Sequence, residues 1–218
     1  MSNFEISLIG SLFLAAALML YLGWILLPAK IGIFFEPEDF AAVGSHRRVW
    51  IWLYRIYLFG YVAAVMAFVA LAAIITEPSA RVIVWPAVAV LNAGLVMTSL
   101  AYAFYYHFGA WGSVDMEGKS NEEVQEFIVS LRVGTEYATC WIRFGRIFIG
   151  VGQLVFVLGL LKQAGPWPMW LIVLGGVLGV AGILLTLEWP DNLDYYKPLF
   201  YLDVFWLAAL GIAFFTFL

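Results

Sequence analysis

Charge is scarce in this chain. Asp, Glu, Lys and Arg make up 12% of its 218 residues, about half the ~25% of an ordinary soluble domain. The formal net charge of -4 leaves no basic surface of the kind nucleic acid requires. One cysteine, Cys140, cannot close an intrachain disulfide and says nothing about redox compartment. No lysine stands in the middle of an apolar run, which excludes retinal-type Schiff-base chemistry. P-loop, HExxH and GxSxG patterns are all missing. No row of carboxylates forms a proton wire, and no charge falls near the middle of a run, which argues against an ion-coupled pump.

What remains is mostly apolar. Hydrophobic residues reach 64% and aromatic residues 18%. Six stretches are each near the ~20 residues that ~30 Å of hydrocarbon requires. They cover about 4–27, 49–75, 82–106, 140–161, 167–187 and 199–217. In lipid an unpaired backbone group costs several kcal/mol, so each stretch is expected to be a helix. The first begins at Phe4 with no Lys or Arg before it and is longer than a signal core, so it reads as a retained span. Pro28, Pro78, Pro166, Pro190 and Pro198 fall between these spans or at their ends, where a missing N–H costs little.

Two connections are longer. Residues 28–48 hold the aromatic and acidic run Phe34 to Phe40, placed at the membrane interface. Residues 108–139 carry a helix-start signal: Ser120 is followed three residues later by Glu123, a capping box, with Glu122 and Glu126 near the positive helix end. Val124, Phe127, Ile128 and Leu131 recur at helical spacing. An amphipathic interfacial helix over about 121–138 is expected, or one running straight into the fourth span.

With six spans both termini share a side. Of the eleven cations, nine fall on the side of the first, third and fifth connections, and only Arg81 and Lys162 on the other. The positive-inside rule then puts both termini outside the cytoplasm and the longer connections within it. Trp24, Trp50, Trp52, Trp111, Trp141 and Trp189 would mark the inner interface, and Trp85, Trp167 and Trp170 the outer one, as an aromatic belt. Trp50-Ile51 with Arg55, and Trp141-Ile142 with Arg146, share a spacing that suggests a duplicated two-helix unit, with chance resemblance as the alternative.

Four ionisable residues lie a turn or two inside the ends of the second, fourth and sixth spans: Arg55, Arg143, Arg146 and Asp203. Such groups usually face the bundle interior and pair, so Asp203 is expected to meet Arg143 or Arg146, and the set could hold an anionic head group. Snorkelling arginines with one structural ion pair are the plainer reading. His46 and His107 belong to adjacent spans at the same end, as weak candidates for haem or metal ligation. Glu188, Asp191 and Asp194 are spaced by three but interrupted by Pro190, which suits a solvated acidic loop better than a Mg²⁺ site. Asn92 and Gln153 are placed to hydrogen-bond across helices, and Gly175-x-x-x-Gly179 marks a close helix contact.

The sequence therefore describes one transmembrane domain over 1–218: an all-α polytopic integral membrane bundle of six spans with one amphipathic interfacial helix. The leading functional expectation is non-enzymatic. It is either a subunit of a larger membrane assembly or a binder of an anionic lipid or other hydrophobic small molecule at the cytoplasmic leaflet. A lipid-modifying enzyme using the Arg143/Arg146 and Asp191/Asp194 groups, and a haem- or quinone-binding redox subunit, are the alternatives. No cofactor follows from the sequence.

Overall fold

A computed structural model describes residues 3–26, 46–163, 167–191 and 193–216. The aromatic and acidic run from Phe34 to Phe40 lies outside the described residues. The elements in chain order are α1 (Asn3–Ile25), α2 (Arg47–Ala73), α3 (Pro78–Phe104), a π-helical segment (Tyr105–Trp111), α4 (Gly112–Asp115), α5 (Asn121–Ser130), α6 (Arg132–Lys162), α7 (Met169–Glu188) and α8 (Leu193–Thr216). No strand occurs among the described residues. Six helices are long and apolar enough to cross a membrane among those residues, and the chain is a multi-pass integral membrane protein.

These six helices close into a ring. α1 packs on α2, α2 on α3, α3 on α6, α6 on α7, α7 on α8, and α8 returns to α1. Short connections, as at 74–77, make the helices they join antiparallel, and Gly23 near the end of α1 meets Tyr57 near the start of α2. At one end of the ring α1, α3 and α7 finish while α2, α6 and α8 begin. This is the charged end: Arg55, Arg143 and Arg146 are all near it.

Lipid is as apolar as leucine, so close packing rather than hydrophobic burial must hold such helices together. The α3–α6 seam is the most extensive contact in the bundle, and glycine permits it. A Cβ at Gly152 would stand 2.5 Å from the Leu91 backbone nitrogen. On the other side of α6, Gly179 of α7 meets Gly150: a Cβ on either would lie 2.7 Å from the other's carbonyl oxygen. The small-residue face expected at Gly175 and Gly179 is thus a real helix contact.

Several boundaries differ from expectation. Only Asn121–Ser130 forms the separate amphipathic helix; after a turn at Leu131 the chain is already in α6, so residues 132–138 belong to the fourth span. The capping box is present. Ser120 Oγ accepts from Glu123 N at 3.3 Å, and Glu123 accepts from Ser120 N at 2.9 Å. That backbone N–H, with Lys119 nearby, holds the Glu123 carboxyl below the usual carboxylate range. α8 starts at Leu193, so Pro198 stands inside it, and Pro86 stands inside α3. Each removes one backbone donor within its helix. The tryptophans divide: Trp52, Trp85, Trp111, Trp141, Trp170 and Trp189 are exposed as a belt requires, but Trp50 is only 2% exposed and packs with Tyr54. The two copies of the Trp-Ile motif therefore differ in burial, with Trp50 inside and Trp141 outside.

Candidate functional site

The polar residues of the spans collect on the ring axis, toward the charged end. A chamber of about 70 Å³ there is lined by all six spanning helices: Trp24 from α1, Tyr57 and Tyr61 from α2, Thr98 and Tyr102 from α3, Arg146 and Gln153 from α6, Gly182 from α7, and Tyr196 and Asp203 from α8. Arg146 is 8% exposed and Gln153 2%. A second chamber of about 80 Å³ adjoins it on the axis, sharing Tyr61, Gln153, Phe200 and Asp203 as walls. The rest of its lining is apolar, including Leu20, Phe68, Leu91 and Leu95.

Two layers organise the polar chamber, and the helical repeat explains them. Arg146 and Gln153 are seven residues apart on α6, and so are Tyr196 and Asp203 on α8, so each pair shares one helix face two turns apart. In the outer layer the Arg146 guanidinium lies 3.6 Å from the Tyr196 ring centroid and donates to the Pro190 carbonyl at 3.1 Å. In the inner layer Gln153 Nε2 donates to Asp203 Oδ1 at 3.2 Å. The outer layer is tied down further: Thr186 Oγ1 and the Tyr196 hydroxyl lie 2.9 Å apart, and both donate to the Gly182 carbonyl, at 2.7 and 3.2 Å.

Tyrosines close the opposite wall. The Tyr61 hydroxyl donates to that of Tyr57 at 3.2 Å, and the Tyr57 and Tyr102 rings meet edge to face with centroids 4.6 Å apart. Trp24 lies against Phe200, with centroids at 4.8 Å. The chamber is thus rimmed by aromatic side chains, four of them tyrosines, with one guanidinium at its outer layer and one carboxyl at its inner layer.

The four residues singled out in the sequence separate. Arg146 and Asp203 reach the same chamber, but no ion pair joins Asp203 to an arginine among the described residues. The expected Asp203–arginine bridge is replaced by the amide of Gln153, because Arg146 sits two turns from the carboxyl's level. Arg143, three residues from Arg146, points to the α7–α8 connection, where it makes a bidentate pair with Asp191. Arg55 donates from Nε to the Tyr106 hydroxyl at 2.9 Å and covers the Trp52 ring at 5.2 Å, outside the chamber lining. The acidic loop is consequently docked by arginine rather than free in solvent at Asp191. His46 stands at the start of α2 and is exposed; His107 is exposed in the π-helical segment with its ring against Phe108. No group of three or more His, Cys, Asp and Glu side chains able to hold a metal occurs among the described residues. Asn92 Oδ1 is buried without a partner, whereas Gln153 does bond across helices.

Sequence reasoning passed over the tyrosines. Tyr57 and Tyr61 at i and i+4, and Tyr196 and Asp203 at i and i+7, carried the signal, since each spacing places two polar-tipped residues on one helix face.

No protein-family model matches the chain, and no curated protein or solved structure is similar to it. The fold and the chamber define it as a six-span helical membrane protein with a polar cavity on its axis.

Proposed function

We propose that this protein binds a small hydrophobic or amphiphilic ligand in the axial chamber, and that it does so without chemical conversion. The observation that carries this reading is that all six spanning helices contribute to the polar chamber, and that an apolar chamber adjoins it across Tyr61, Gln153 and Asp203. Polar side chains inside a bilayer are costly and mark ligand or ion paths. Pockets of this kind, mostly apolar with a few converging polar groups, suit small-molecule recognition. The polar chamber orients a head; the apolar chamber accepts a short body.

The cation bias supports an orientation with both termini outside the cytoplasm, which places the charged end and its chamber toward the cytoplasmic leaflet. Mass spectrometry of extracts from the purified protein tests the ligand directly. A stoichiometric small molecule, lost on Tyr102→Trp to fill the chamber, is the expected result. Protein free of any retained molecule, with no thermal stabilisation by added amphiphiles, contradicts it. A reporter fused after Leu218 should read extracytoplasmic, and one near Gly118 cytoplasmic.

A further inference from the structure

We infer that the head group this chamber takes is a small organic cation of the alkylammonium class, held by Asp203 and the aromatic rings around it. This rests on the reading of the chamber as an amphiphile site and adds the sign of the ligand's charge.

Arg143 is paired with Asp191. Arg55 is engaged by Tyr106 and Trp52. Arg146 has a ring face beneath its guanidinium and a carbonyl accepting from it. Arg55, Arg143 and Arg146, the arginines within the spans at the charged end, are thus all engaged. Asp203 differs. It accepts from a neutral amide at 3.2 Å and has no lysine or arginine within ion-pair reach among the described residues. A carboxylate inside an apolar bundle is costly unless it takes up a proton or meets a positive charge. Arg146 is not paired with it, because its guanidinium is turned to the Tyr196 ring and the Pro190 carbonyl, toward the charged end.

The surroundings of Asp203 suit a cation. Tyr57, Tyr61, Tyr102, Trp24 and Phe200 line the same chamber. Faces of electron-rich rings attract ammonium groups, and a ring cage is the usual receptor for alkylated ammonium. Size limits the ligand. The two chambers, about 70 and 80 Å³, together approach the ~150 Å³ of a cavity known to take up benzene. Asp203 walls both chambers, so it stands where a compact head would meet a short apolar body lying beside Leu20, Phe68 and Leu91.

Three probes of equal length isolate the charge: hexylammonium, hexanol and hexanoate. Each is titrated into the purified full-length protein in neutral detergent, read by calorimetry and by the shift in thermal unfolding. Hexylammonium is expected to bind and stabilise, at least ~tenfold more tightly than hexanol, with hexanoate weakest. Asp203→Asn is expected to cost hexylammonium roughly thirtyfold or more and to leave hexanol unchanged. Tyr61→Phe keeps the ring and should retain binding, whereas Tyr61→Leu should weaken it. The wild-type ranking stands even if a variant fails to fold. Hexanol or hexanoate binding as well as hexylammonium overturns the cationic assignment and leaves the amphiphile site standing. No binding by any of the three overturns both.

Discussion

Past the apolar chamber, whose wall includes Phe68 and Trp206, the axis of the bundle away from the charged end is filled by rings packed on rings. Phe68 of α2 meets Phe13 of α1 at 5.1 Å and Phe156 of α6 at 5.5 Å, both edge to face. Trp206 of α8 stacks on Phe68 at 6.1 Å and spends its one donor on the Leu171 carbonyl at 2.9 Å. Toward the charged end the same helices carry as many rings, but with hydroxyls, a guanidinium and a carboxyl among them, and there the axis stays open. Both regions have the same ring of helices and the same glycine seams. The difference lies in what the inward positions can do for one another. Phe and Trp satisfy themselves by shape and one N–H, so behind the apolar chamber they pack ring on ring. Tyr, Arg, Gln and Asp need partners in set directions, and meeting those directions holds their helices apart around a space.

Substitutions at the seam should disturb both regions most. Gly152→Leu would drive a side chain into the Leu91 backbone and separate α3 from α6. A loss of ~3 kcal/mol or more is expected in detergent unfolding, above the usual cost of overpacking because backbone cannot yield as a side chain would. Gly176→Leu, where a Cβ would find only Val157 at 3.7 Å, should cost far less.

Phe156→Ala should remove about 2–3 kcal/mol and open the packed region. That is the cavity part of the ~3–5 kcal/mol seen in soluble cores, because the unfolded side chain rests in lipid rather than water. If an apolar probe such as hexanol then gains affinity, the two regions differ only in filling.

A double-mutant cycle sharpens the polar region. Gln153→Leu with Asp203→Leu should show coupling of about 1 kcal/mol, and Arg146→Leu with Asp203→Leu a smaller value. Equal couplings would restore an arginine bridge to Asp203. The smallest effect is at the rim. Arg143→Gln should cost about 0.5 kcal/mol, and less as salt rises, because its pair with Asp191 is part-exposed.

The spans were legible because length and apolarity answer directly to bilayer thickness, and the Ser120 capping box because its two bonds are local. The end of α5 at Ser130 was not, since nothing in the sequence from 131 to 138 breaks the helical period. The chamber was half legible. Depth within a span singled out Arg146 and Asp203, but depth alone does not give axial register, so their partners were misassigned. Tyr57, Tyr61 and Tyr102 were overlooked because a tyrosine in a span reads as an interface anchor. Only the ring closure, which no single helix encodes, turns them toward one axis.

Thiol accessibility tests the contrast most directly. In a Cys140→Ser background, Thr98→Cys places a thiol on the polar chamber wall and Ala67→Cys places one in the packed core, at 5% and 0% native exposure. Their exposures are almost equal, so surface area alone predicts equal reactivity. An axial chamber predicts that a small methanethiosulfonate labels Thr98→Cys in the native protein and Ala67→Cys only after unfolding, with hexanol slowing the first. Equal labelling at both positions, or at neither, would contradict it.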